Sequence, residues 1–259
     1  MRVESWPRIL AHSLPVLVLV LMAYWMGSGL TSFAVQDGVV TVKEIAGFSW
    51  SYGDARVFNW HPLLMTFGFV FCSMQAALAY ISLPFSHEVK KRIHLSLHAL
   101  GFLSAGLGAI AVFRFHNEHN ITNLYSLHSW LGLTVVILFL ALWLGSFAVF
   151  FYPGAQDNVR AFIAPYHIGL GLSIIALVVA TVESGILEKL SFNNSCNVSG
   201  VLHGEDVQGH MAADCVTGNV IGLLVAFSLV FVVVTIWHAK HSTSKKALKD
   251  EMTPLLLDS

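Results

Sequence analysis

Six separate stretches of the chain are apolar over a length that matches a membrane: roughly Ile9–Leu30, Trp60–Leu83, Ile93–Phe113, Leu127–Tyr152, Tyr166–Leu187 and Val216–Trp237. About 20 apolar residues carry a helix across the hydrocarbon core. In lipid only a helix or a closed barrel satisfies its own backbone polar groups. The stretches therefore predict an all-α integral membrane protein with six transmembrane helices. Composition agrees, since 56% of the 259 residues are hydrophobic and only 11% are charged, under half the charged fraction of a soluble domain. The first stretch follows Arg2 and Arg8 as a signal peptide would. Its apolar run is too long for that role, and Gly27–Gly29 makes a poor cleavage site, so it is expected to stay as a helix.

The distribution of Lys and Arg predicts sidedness. With a cytosolic N-terminus, ten fall on that face (Arg2, Arg8, Lys90, Lys91, Arg92, Arg160, Lys240, Lys245, Lys246 and Lys249) and four on the other (Lys43, Arg56, Arg114 and Lys189). Both termini are thus expected in the cytosol. The Asn-x-Ser/Thr sequons at Asn120, Asn193 and Asn197 all fall on the opposite side. Cys196 and Cys215 share one loop on that side, where an oxidising lumen favours a disulfide. Cys72 lies within helix two and reads as a small buried apolar residue. Three scattered cysteines make neither a disulfide scaffold nor a structural zinc site. A net charge of −1 gives no reason to expect a nucleic-acid partner.

Thirteen histidines in so apolar a chain need an explanation. Ionisable residues inside spans are rare and usually functional. His61 opens helix two and His128 opens helix four, both from the non-cytosolic side. His94 and His98 open helix three and His167 opens helix five, both from the cytosolic side. The candidates thus sort into two groups stacked across the bilayer. Two facing imidazoles fill both axial positions of a haem iron and leave an electron-transfer centre. Gly68, Gly101, Gly132 and Gly171, one or two turns from the histidines, are expected to leave room for a flat macrocycle, although glycine also serves close helix packing. Spacing alone does not choose between His94 and His98. A haem-independent histidine relay for metal or protons, or a non-catalytic membrane partner, are the other readings. Zinc is disfavoured because no carboxylate lies deep within helices two to four.

Phe58-Asn59-Trp60-His61-Pro62, Lys91-Arg92-Ile93-His94, Asn123-Leu124-Tyr125-Ser126-Leu127-His128-Ser129-Trp130 and Arg160-Ala161-Phe162-Ile163-Ala164-Pro165-Tyr166-His167 stand in order along the chain. Together they resemble the cytochrome b561 family of ascorbate-dependent transmembrane reductases, most like its lysosomal, endosomal or vesicular members. The resemblance covers about residues 57–190 of a single domain, leaving residues 239–259 as a cytosolic tail. It implies that helices two to five form a four-helix bundle around two b-type haems, flanked by helices one and six, usually as a homodimer in the lipid membrane. It pairs His61 with His128 and His94 with His167, and it makes His98 a neighbour of the haem rather than a ligand.

The same resemblance implies a cytosolic ascorbate site at Lys91 and Arg160, with Lys90 and Arg92 beside them. On the other side it implies an acceptor site near His116 and Tyr125, taking a ferric chelate or monodehydroascorbate. His119, His203 and His210 read as idle loop residues, and Glu183 in helix five invites only a polar contact. No acid–base or nucleophilic machinery is needed. Glu251-Met252-Thr253-Pro254-Leu255-Leu256 looks like an acidic dileucine sorting signal, so the late endosome or lysosome is the expected membrane, with the secretory vesicle or plasma membrane as alternatives.

Overall fold

The computed structural model describes residues 6–28, 32–36, 39–43, 45–192, 195–197, 199–202, 204–209 and 211–257. Arg2, Asn193, His203 and His210 lie outside them, as do the side chains beyond His241 and Ser242, including those of the Glu251–Leu256 motif.

Six helices are long and apolar enough to cross a membrane: α1 (Trp6–Gly27), α2 (Ala55–Ser82), α3 (His87–Glu118), α4 (Leu127–Phe150), α5 (Asp157–Phe192) and α6, whose span is Ala213–Ser242. The backbone of α6 continues to Leu257. α3 and α5 outrun the apolar stretches that announced them by the most, and polar residues support their ends. Lys91 pairs with Glu88 in the first turn of α3 and Arg114 with Glu118 in its last, while Asp157 pairs with Arg160 at the start of α5. Such pairs one turn apart stabilise exposed helical turns. Pro165 lies inside α5.

The helices pack as α2 on α3 and α4 on α5, and these two pairs touch only sparsely; α1 and α6 pack on each other and flank α2 and α5. Lipid offers apolar side chains as good an environment as protein does, so close approach through small residues holds such helices together. Gly68 and Gly101 show this. A Cβ at Gly68 would stand 2.4 Å from the Gly101 carbonyl oxygen, and one at Gly101 would stand 2.7 Å from that of Gly68. These two glycines therefore bring α2 and α3 backbone to backbone and do not leave space for a macrocycle. Gly68 lies in a π-helical stretch, Thr66–Cys72, where α2 widens by one residue per turn. Gly171 has open space where a Cβ would project, and Gly132 meets only Thr181 Cγ2 at 3.7 Å.

The end of the bundle opposite the termini carries a cap. Four short strands, β1 (Ser32–Gln36), β2 (Val39–Lys43), β3 (Val201–Leu202) and β4 (Glu205–Asp206), form one sheet in that order. The β2–β3 pairing is parallel through Val39 and Val201, joining the α1–α2 connection to the α5–α6 connection. This sheet is an addition to the all-helical expectation. Val39-Val40-Thr41-Val42 is rich in β-branched residues, and Asp37-Gly38 before it is a strong hairpin signal in sequence. Cys196 and Cys215 form a disulfide, and beside it the buried Ser195 hydroxyl donates to Asp214 Oδ2 at 2.6 Å. Cys72 is free and buried, as expected. The exposed sequon residues Asn120 and Asn197 belong to this capped end.

Candidate functional site

Each of the four principal histidines is fixed by its own helix pair. His61 on α2 has Nδ1 3.1 Å from the carbonyl oxygen of Gly108 on α3, and His94 on α3 has Nδ1 2.8 Å from that of Ala76 on α2. His128 on α4 has Nδ1 2.8 Å from the Thr181 carbonyl on α5, while His167 on α5 has Nδ1 2.8 Å from Ser146 Oγ on α4. A carbonyl only accepts, so in the first three Nδ1 carries the proton and Nε2 is left with a free lone pair. Histidines that bind metals are oriented in this way by a partner on the other ring nitrogen.

The rings then meet across the gap between the pairs. His61 and His128 have ring centroids 6.0 Å apart, and His94 and His167 are also 6.0 Å apart. An imidazole nitrogen bonds a metal ion at about 2 Å. Adding roughly 1 Å from nitrogen to ring centre on each side gives about 6 Å, so each pair has the separation at which its two imidazoles would hold one iron between them. The carbonyl tethers also give the spacing of the two sites. On α3, His94 and Gly108 are fourteen residues apart in the sequence, about 21 Å along a helix. That separation is short enough for both sites to fit within a hydrocarbon core about 30 Å thick.

Between the sites stands an aromatic layer. Phe139 lies 5.1 Å from Phe69, 6.1 Å from Phe102 and 5.3 Å from His98, measured between ring centroids. His98 touches His94 at 4.6 Å, yet its Nδ1 is buried without a hydrogen-bond partner. It lacks the tether that the other four share.

The surrounding residues include two, Asn59 and Gly185, whose roles were not expected from the sequence. Asn59, buried just before His61, directs Nδ2 at the carbonyl oxygens of Met26, Ile45 and Gly47 at 3.2, 3.0 and 2.8 Å. This ties the end of α1 and the following loop to the start of α2. Gly185 on α5 lies under the His128 ring, where a Cβ would be 2.6 Å from Cε1. Glu183 faces α6 instead: a Cβ at Gly222 would stand 2.6 Å from its Oε2, and Oε1 is buried without a partner.

At the end holding the termini, Lys91 Nζ lies 5.7 Å from the centre of the Phe151 ring. Next to it, Phe150 packs on His167 at 5.5 Å and Tyr80 on His94 at 5.4 Å. Lys90 points aside, donating to the Tyr80 carbonyl at 3.2 Å. Arg160 pairs with Asp157 and lies seven residues, two turns, before His167 on the same side of α5. At the capped end, His116 stacks 6.0 Å from Tyr125, with Nδ1 3.2 Å from Asn123 Oδ1. The Tyr125 hydroxyl donates to Glu188 Oε1 at 2.5 Å. Burial, then the neighbouring carboxylate, holds the Tyr125 phenol above its ordinary range. His119 turns back onto the Phe115 carbonyl. No cluster of three or more His, Cys, Asp or Glu suited to a metal ion occurs among the described residues.

Comparison with known proteins places this arrangement. Residues 60–193, which contain all four tethered histidines, match the profile of eukaryotic cytochrome b561. The chain is 38% identical over 183 residues to a transmembrane ascorbate ferrireductase of Arabidopsis thaliana, covering 70% of each. It is 41% identical over 219 residues to a lysosomal membrane ascorbate-dependent ferrireductase of Mus musculus, covering 82% of this chain and 86% of that one. A probable ascorbate-specific transmembrane electron transporter of Oryza sativa subsp. japonica is 44% identical over 140 residues, 54% of this chain and 59% of that one. With half the chain matched by the profile and a full set of tethered histidines inside the match, the protein belongs to the cytochrome b561 family of haem b membrane proteins.

Proposed function

We propose that this protein carries single electrons across a membrane from cytosolic ascorbate to ferric iron presented as a chelate on the other side, using two haem b groups. The observation that carries the reading is the pair of crossed histidine couples, each 6.0 Å between rings and each backed by hydrogen bonds on Nδ1. His61 and His128 would hold one haem at the capped end; His94 and His167 would hold the other near the termini. Haem b, when bound through two imidazoles, supplies a one-electron couple with no open position for oxygen chemistry.

The remaining residues position, attract and exclude. Lys91 and Arg160 stand where an ascorbate anion would approach the His94–His167 site; Lys90, turned onto the Tyr80 carbonyl, would have to swing round to join them. Phe69, Phe102 and Phe139 keep water out of the layer between the sites. The capped end is taken as non-cytosolic because the Lys and Arg count, the disulfide and the exposed sequons all agree. His116 and Tyr125 lie at that mouth, beside His128. The acidic dileucine motif, together with the lysosomal relative, supports a late endosomal or lysosomal membrane.

The purified protein in liposomes loaded with ascorbate tests this reading. It should reduce an external ferric chelate at a rate that depends on internal ascorbate, and external monodehydroascorbate should compete. External iron that stays ferric while internal ascorbate is present would sink the reading.

A further inference from the structure

A carboxylic side chain at the capped-end mouth is not used by the haem sites. Glu188 on α5 is half-buried, and both of its oxygens accept from neutral hydroxyls. Oε1 takes the 2.5 Å bond from Tyr125, and Oε2 takes a 2.9 Å bond from Ser126. Ser126 is the N-cap of α4, accepting from the Ser129 backbone N–H at 3.2 Å, two residues before His128. One carboxylate thus joins the mouth to the helix turn that carries a candidate haem ligand.

The loop that brings these groups together is held against its own preference. Leu124 has φ 56°, a left-handed conformation that is an outlier for a bulky side chain. Such strain persists where surrounding structure enforces it, and it concentrates at functional sites. It places Tyr125, 46% exposed, against Glu188 on one side and His116 on the other. The Asn123 amide completes the ring of polar groups, donating to Asn117 Oδ1 at 2.9 Å.

We propose that Glu188 is the charged ligand of the acceptor site, binding ferric iron delivered by a weak carboxylate chelator, with Tyr125 and His116 as its flanking donors. This rests on the ferric-acceptor reading above and names the group that selects the acceptor. Carboxylate oxygen suits a hard cation. Coulomb attraction scales with charge, so the site holds Fe3+ more firmly than Fe2+ and releases the product. The step is a single reduction: Fe3+ gains one electron that ascorbate has lost, and no proton is transferred to the metal.

Glu188→Gln separates charge from shape, because glutamine can keep both hydroxyl contacts. In liposomes loaded with ascorbate, the variant should show a KM for external ferric citrate raised about tenfold, the equivalent of one lost interaction of about 1.4 kcal/mol. Gallium(III) citrate, which matches the charge of ferric iron but is not reduced, should compete with ferric citrate in the native protein and about tenfold more weakly in the variant. Glu188→Asp, which keeps the charge, should recover most of the affinity. A Gln variant with native KM and native gallium competition overturns the assignment, and so does one that loses haem absorbance, which would make Glu188 a structural clamp. Native protein that reduces no ferric citrate overturns the acceptor reading itself.

Discussion

Replacing His61 or His128 with alanine should halve the bound haem and leave the remainder reducible by ascorbate, whereas replacing His94 or His167 should remove the haem that ascorbate reaches first. The asymmetry follows from where the tethers lie. His61 and His128 lean on Gly108 and Thr181, while His94 and His167 lean on Ala76 and Ser146, about 20 Å away along the helices. Loss of one ligand therefore leaves the distant pair intact. His98→Ala should retain both haems, because His98 has no tether on Nδ1 and sits in the aromatic layer. Visible spectra of each variant, titrated with ascorbate, read this directly. Equal loss of both haems from every single variant would contradict the assignment of two separate sites.

Gly185→Val should abolish the capped-end haem nearly as completely as His128→Ala. Gly185 has no side chain because the His128 ring occupies that volume, with Cε1 at 2.6 Å and Nδ1 at 2.8 Å from where a Cβ would stand. The ring is also held from behind by the Thr181 carbonyl, so it cannot yield without losing that bond. Overpacking a filled site costs about 1–3 kcal/mol even when neighbours can shift, and an imidazole moved by an ångström no longer bonds a metal at about 2 Å. Gly171→Ala is the matched control, since a Cβ there meets open space. The haem-to-protein ratio of the two variants should differ by about one haem per chain; a normal ratio in Gly185→Val would show that the His128 position is not a ligand site.

Span number, and the sorting of His61 and His128 into one group and of His94, His98 and His167 into the other, follow from hydropathy and from which face each helix starts on; the choice of His94 over His98 came from the family resemblance. The hydropathy signal is strong because lipid punishes every exposed polar group. The element ends were harder to place. α3 and α5 run beyond their apolar stretches on ion pairs such as Arg114–Glu118 and Asp157–Arg160, and hydropathy counts those residues as loop. The strands of the cap lie in the connections between spans, where attention to hydropathy alone passes over the β-branched run at Val39–Val42.

The supports of the site were the least legible. Gly108, Ala76 and Thr181 act through backbone carbonyls, which any residue type would supply, so composition carries no trace of them. Gly68 and Gly101 look the same in sequence as Gly171, yet two of them close a helix contact and the third faces open space. Only the three-dimensional packing separates those roles. Glu188 escaped notice because a charge four residues from the end of a long helix reads as solvated surface; its bonds to Tyr125 and Ser126 span more than sixty residues of chain.

Four histidines on α2, α3, α4 and α5 are proposed to hold two haems in separate leaflets. Quantifying non-covalent haem by the pyridine haemochrome method against protein mass tests it most directly. Two haem b per chain are expected in the native protein and one in His128→Ala. One haem per chain in both, or none in either, would contradict it.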